Sequence, residues 1–272
     1  MKASLPVKKV YVLDTAFDSS DPYDIVYSNV RFLNGLLERH LNNAELCPQA
    51  LTSYHVDFYF AQIQNGGFSQ FVYNSRWDPA VVADVGKGLR TIGCSQHAKL
   101  FRKCEALLAQ FPEGQLEAYL KGEYFGENPV RDELNSYGSQ INGLSSEEIV
   151  TRNAAWLRKL RNLTVLNQED FQAAIEHFAA LPPDREERRL AALRAEPRYM
   201  KLIRKLCQEN GLVLDRVTIG THTTYRLKRC VAWHFLTDRG QFYMIDLGSK
   251  ALMFTRKGWW PRAKIVVEPG FK

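Results

Sequence analysis

A thiol, an imidazole and a carboxylate near position 50 are the first candidates for chemistry in this sequence. Cys47, His55 and Asp57 carry these groups within eleven residues, and a cysteine nucleophile with its base would use such a set. They fall in an apolar helical region, and no residue at a defined spacing orients the imidazole. The GxGxxG, P-loop and GxSxG motifs are absent from the sequence. The pattern therefore predicts no catalytic residues.

A second group combines two cysteines with a histidine, which are the side chains that zinc prefers. Cys94, His97 and Cys104 lie close together along the chain. Their spacings fit no structural zinc pattern, and one helical face would not hold all three. We therefore expect no metal site, no cofactor and no enzymatic activity.

The segment Tyr54–Ser75, YHVDFYFAQIQNGGFSQFVYNS, is the part of the chain around which the others must be arranged. Its apolar spacing predicts a largely buried helix, a tight turn at the double glycine, and a second helix. Carboxamide side chains interrupt this apolar segment, and buried amides need hydrogen bonds. We expect them to bond free backbone groups around the turn; the alternative is that they face a ligand. The candidate residues are Gln62, Gln64, Asn65, Gly66, Gly67, Phe68, Gln70 and Asn74.

The run FYFAQIQNGGFSQFVYNS resembles the core motif of the bacterial DNA-mimic protein 19 family, a family otherwise known as a domain of unknown function. The stretch Gly88–Phe111, GLRTIGCSQHAKLFRKCEALLAQF, is similar to the helices that follow in that family. The resemblance implies a helical, non-enzymatic module that binds proteins, and the best-known member acts as an acidic decoy for a DNA-binding protein. It covers the N-terminal two-thirds of the chain and implies no catalytic residues.

Charge divides the chain into two parts. Residues 1–181 contain 17 Lys and Arg against 21 Asp and Glu, whereas residues 182–272 contain 19 against 9. Pro182-Pro183 is the strongest boundary signal, because neither proline can donate a backbone hydrogen bond. We therefore predict an α+β protein with two domains: an all-helical domain over residues 1–181, and a small basic α+β domain over residues 184–272. The second should have one or two helices and then about five antiparallel strands.

The basic domain contains a candidate binding surface. A long strand is expected over Thr223–Thr237, with Thr224, Arg226, Lys228 and His234 on one face. Cations beside aromatic residues suit nucleic acid, but the same residues could close a small sheet or form a protein interface. The candidate surface consists of Arg226, Lys228, His234, Arg256, Lys257, Trp259, Trp260 and Arg262.

The expected function is that of a regulatory or immunity protein which binds and occludes a partner protein. The partner would be a DNA-binding regulator or a toxin; a homodimer is also compatible with the sequence. The alternative is a nucleic-acid-associated protein that uses the basic domain. Five cysteines without a CxxC pair are typical of reduced thiols, so we expect a cytoplasmic location. No apolar run reaches the length of a membrane span.

Overall fold

A computed structural model describes residues 7–112, 114–122, 124, 127–136, 140, 146–256, 258 and 260–268. The chain divides into two compact units, Met1–Arg185 and Glu186–Lys272. The first unit is built mainly of helices, and the second contains an antiparallel sheet. The predicted α+β class is confirmed.

Helices dominate the first unit. They are α1 (Asp14–Phe17), α2 (Pro22–Leu37), α3 (Pro48–Asn74), α4 (Pro79–Thr91), α5 (Ser95–Leu108), α6 (Gln115–Lys121), α7 (Pro129–Asn135), α8 (Ser146–Arg158) and α9 (Gln168–Ala180), with a short 3₁₀ turn at Asn43–Glu45.

Several helices begin where the sequence places a capping side chain. The Asp21 carboxylate accepts a hydrogen bond from the backbone N–H of Tyr23 at the start of α2. Asp78 caps α4 and Asn167 caps α9 in the same manner. A proline follows each of the two aspartates, where its missing N–H costs nothing. These boundaries are therefore set by local sequence.

The first unit is not entirely helical, because it also contains two short parallel strands. Strand β1 (Val10–Leu13) pairs with β2 (Leu163–Leu166) in register from Val10 opposite Leu163 to Leu13 opposite Leu166. The partner of β1 lies about 150 residues away in the sequence. The pairing joins the two ends of the helical unit.

Two apolar clusters form the core of the first unit. One surrounds the second half of α3 and contains the fully buried rings of Tyr59, Phe68, Phe71 and Phe101. The other lies between β1, α2, the start of α3, α8 and α9. Because α3 contributes to both clusters, it is the element against which most of the unit packs.

The second unit places one helix against a five-stranded antiparallel meander. Its strands are hydrogen-bonded in chain order. The elements are α10 (Arg185–Ala195), α11 (Arg198–Glu209), β3 (Leu214–Tyr225), β4 (Lys228–Thr237), β5 (Gly240–Asp246), β6 (Lys250–Thr255) and β7 (Ala263–Val266).

Helix α11 covers one face of this sheet, which we call the helix face. Leu202, Ile203 and Leu206 are fully buried there among Phe235 and Met244 of the sheet. We call the opposite side of the sheet the far face. Side chains alternate between the two faces along each strand.

The single long strand expected over Thr223–Thr237 is wrong, because the chain turns back in its middle. The dipeptide Arg226-Leu227 has φ values of 47° and 68° and joins β3 to β4 as a two-residue hairpin turn. Because the chain reverses direction at this turn, the side chains expected on one face of a single strand are divided between the two faces of the sheet. Lys228 and His234 lie on the far face, whereas Thr224 lies on the other side.

Candidate functional site

The double glycine interrupts α3 as a sharp corner. Gly66 (φ −159°, ψ 20°) and Gly67 (φ 75°, ψ −169°) both leave the helical conformation, and helix resumes at once. The positive φ of Gly67 is one that other residues adopt only with strain. The predicted arrangement of helix, tight turn and helix is therefore confirmed.

Hydroxyl groups donate hydrogen bonds to backbone carbonyl oxygens at this corner. The carbonyl oxygen of Gly66 accepts hydrogen bonds from Ser69 Oγ at 3.2 Å and Tyr124 OH at 3.3 Å. The Tyr119 hydroxyl donates to the carbonyl oxygen of Ser69 at 2.8 Å. Burial raises the pKa of the Tyr119 hydroxyl, which therefore stays protonated as a donor. The corner is held by tyrosine and serine side chains.

Among the residues that the structure describes, the carboxamides form no hydrogen bond to the backbone around the turn, which corrects our expectation. Gln62 Oε1 accepts from Gln70 Nε2 at 3.0 Å and from Asn74 Nδ2 at 2.6 Å. Gln64 and Asn65 are exposed, as is Asn74, and the other two amides are half-buried. The kink lies between Gln62 and its two partners, Gln70 and Asn74, so these bonds cross it. These side chains form a small surface cluster, while Phe68 fills the core.

The candidate basic surface of the second unit is only partly brought together. Lys228, His234 and Arg256 share the far face, and Arg256 and His234 line the same groove. The Arg226 guanidinium lies over the ring of its neighbour in the hairpin turn, 5.6 Å from the centroid. The Arg262 guanidinium lies 5.9 Å from the centroid of the Phe242 ring, which packs in the apolar cluster on the helix face of the sheet.

Of the two adjacent tryptophans of this surface, Trp260 is the one that the structure describes. Trp260 is 83% exposed. Trp259 and the neighbouring Lys257 lie outside the described residues.

His55 belongs to a pair that the sequence did not indicate. Its Nδ1 lies 3.1 Å from an Asp84 carboxylate oxygen, with the imidazole buried and the carboxylate at the surface. Burial lowers the pKa of His55, and the Asp84 charge acts in the opposite direction. Cys47 contacts other polar groups, at Gln49 and Asn162.

A surface on α2 and α3 brings three tyrosines close to two carboxylates. We call it the tyrosine–carboxylate face, and its members are Tyr23, Tyr27, Glu38, Tyr54 and Asp57. Tyr23 and Tyr27 are 38% and 49% exposed, and their rings stack with centroids 6.0 Å apart. Tyr54 OH donates to Asn34 Oδ1 at 3.0 Å. Sequence reasoning missed this face, although the four-residue spacing of Tyr23 and Tyr27 on α2 was its visible signal.

Asp57 is the unusual member of this face. Burial raises the pKa of its carboxyl from 3.8 to about 6. In the part of the chain that the structure describes, this carboxyl makes no hydrogen bond or ion pair. Its charge in turn contributes to raising the pKa of both Tyr23 and Tyr54. A partly desolvated carboxylate that lacks a counter-charge favours an external cation.

The comparison with known families agrees with the fold of the first unit. Residues 44–160 match the family model described as DMP19-like protein. The matched stretch covers α3 to α8 and includes the double-glycine corner. Helix α2 and the whole second unit lie outside the match. No curated protein and no solved structure matches the chain. None of the described helices has the length and apolar character that a bilayer crossing requires.

Proposed function

We propose that this protein is a non-enzymatic binding module which covers the surface of a partner protein. The partner is a DNA-binding regulator or a toxin, as in the function expected of the DMP19-like family. The observation that supports the proposal is the tyrosine–carboxylate face, where exposed aromatic rings surround a carboxylate that is half-withdrawn from water. Tyrosine is one of the residue types enriched among the side chains that contribute most to binding at protein interfaces.

The chemistry of the face favours a basic partner. Asp57 costs free energy in the unbound protein, because its charge is desolvated and no described residue supplies a counter-charge. A lysine or arginine side chain from a partner would restore the missing interaction, and the rings of Tyr23 and Tyr27 can contact its cation or its methylene groups. Glu38 adds a second negative charge that is felt at Tyr54.

A DNA-binding regulator fits this description because such proteins carry clustered lysine and arginine side chains. The face needs no dense negative potential across the whole unit, since one desolvated carboxylate supplies a strong local attraction. This explains how a unit with a small net negative charge can select a basic partner. Occlusion follows if the partner uses the same basic residues to contact DNA.

The test is affinity capture followed by measured binding. Immobilised full-length protein is exposed to native lysate, and any protein retained at stoichiometric level is identified and its Kd determined by calorimetry. We expect Asp57→Asn and Tyr27→Ala to weaken that Kd at least about tenfold, as hot-spot residues do. The control is Trp260→Ala, which removes an exposed aromatic side chain from the other unit.

Two results would contradict the proposal. One is the absence of any stoichiometric protein partner from native lysate. The other is a partner that binds the Asp57 and Tyr27 variants as tightly as the unaltered protein.

A further inference from the structure

A groove of about 430 Å³ opens on the far face of the second unit. It lies where β3, β4 and β5 adjoin, near the β4–β5 turn. Residues from these strands and from the end of β6 line it: Thr218, Ile219, Thr221, His234, Gln241 and Arg256.

Irregular pairing of β3 accounts for the groove. The register between β3 and β4 shifts twice, between Leu214 and Arg216 and again between Val217 and Ile219. Each shift inserts an extra residue in β3, which bends the strand and re-aims its side chains. Thr218 and Ile219 are consequently both directed to the groove, although neighbouring residues of a regular strand point to opposite faces.

The polar groups of the groove are arranged around His234. Thr221 Oγ1 lies 2.9 Å from His234 Nε2, and Thr218 Oγ1 donates to the His234 carbonyl oxygen at 3.2 Å. Arg256 is exposed at the groove and forms no ion pair or side-chain hydrogen bond within the described ranges. A guanidinium that has no other hydrogen-bond partner can donate two hydrogen bonds to two oxygens of an oxyanion.

The charged side chains on the far face of β4 to β7 have one sign. Asp246 is the single carboxylate on strands β4 to β7, whose residues are all described. It lies on the helix face, where the Arg198 guanidinium donates to it at 2.8 Å. The far face of these strands instead carries lysines at positions 228, 250 and 264. An anion entering the groove therefore meets no carboxylate from β4 to β7 on this face.

We propose that the groove binds a phosphate group of a single-stranded nucleic acid, independently of the protein-binding function. Arg256 and His234 contact the phosphate oxygens, and the Thr221 hydroxyl positions the imidazole. Ile219 is 59% exposed beside them and provides an apolar surface for a sugar or base. The lysines elsewhere on the far face favour a polymer, because one isolated phosphate would leave them unused.

The test uses the full-length protein and a fluorescently labelled oligonucleotide of twelve thymidines or uridines, with anisotropy as the readout. We expect Arg256→Gln to weaken the Kd about tenfold or more, because a charge-assisted contact is lost. The slope of log Kd against log salt concentration should fall by about one. Arg229→Gln is the matched control: it removes the same charge from β4 on the helix face and should change the Kd less than about threefold.

A second variant tests the groove without changing charge. Thr221→Val removes the hydroxyl beside His234 and should weaken oligonucleotide binding, while circular dichroism verifies the fold. Competition with inorganic phosphate and with adenosine monophosphate identifies the ligand source. Weak competition by both small molecules supports binding of a single-stranded nucleic acid. Tight binding of either small molecule, with no binding of the oligonucleotide, overturns the proposal. Equal effects of Arg256→Gln and Arg229→Gln would also overturn it, since binding would then be non-specific.

Discussion

Replacement of Asp57 by asparagine should make the protein more stable at neutral pH and less able to bind its partner. Asparagine has nearly the same shape as aspartate but carries no charge, so it removes the desolvation penalty of a carboxylate that lacks a counter-charge in the described structure. The pKa of this carboxyl is raised from 3.8 to about 6 by burial. The size of this shift sets the expected gain in the free energy of unfolding.

The sign follows from proton binding. The folded state holds the Asp57 proton more tightly than the unfolded state, so the unaltered protein loses stability as pH rises from about 4 to about 6. Above that range the loss is complete and amounts to at most about 3 kcal/mol, from about two pKa units at 1.36 kcal/mol each. At pH 4.5 it is only about 1 kcal/mol. The advantage of Asp57→Asn should therefore grow by about 2 kcal/mol between pH 4.5 and pH 8.

Urea unfolding of the full-length protein, followed by circular dichroism at 222 nm at both pH values, measures this difference. Comparing the two proteins at each pH cancels the titration of all other groups. Glu38→Gln is the control, because it removes an exposed carboxylate from the same face. An advantage that is the same at both pH values, or a variant that is less stable at pH 8, would refute the reasoning. Stability gained together with partner binding lost would identify Asp57 as a group kept for recognition.

Two further predictions concern packing and hydrogen bonding in the first unit. Gly88→Ala should destabilise it by about 1–3 kcal/mol in urea unfolding, because the added Cβ would meet Val56 Cγ2 at 2.6 Å. Gly86→Ala is its control, since the added carbon there finds only ordinary contacts at 3.5 Å, and equal effects would contradict the close-packing argument. Tyr119→Phe should cost about 1–2 kcal/mol, since the carbonyl oxygen of Ser69 loses its hydroxyl donor; unchanged thermal unfolding would show that this bond does not hold the corner.

Features set by neighbouring residues were readable from the sequence. The fold class, the helix starts at capping aspartates, and the helical break at the double glycine all depend on contacts within a few residues. The hairpin turn Arg226-Leu227 is also local, yet it escaped prediction. Its two residues adopt positive φ, which usually selects asparagine and glycine, so the common sequence signal for such a turn is missing.

The environment of each candidate side chain could be determined only from the tertiary structure. The apolar segment suggests that the carboxamides are core residues, but they lie at or near the surface, where Gln62 bonds Gln70 and Asn74 across the kink. Tyr119 and Tyr124, some fifty residues further along, supply the hydrogen bonds that the amides were expected to make.

The sequence by itself determined the two-part division of charge, the mainly helical character of the first part and the sheet of the second. Only the tertiary structure decided that β1 pairs with β2, that Asp57 lies beside Tyr23, and that Arg256 and His234 line one groove. The reason is physical. Helix caps, turns and periodicity arise from residues a few positions apart, whereas desolvation of a charge and convergence of donors depend on groups that only folding brings together.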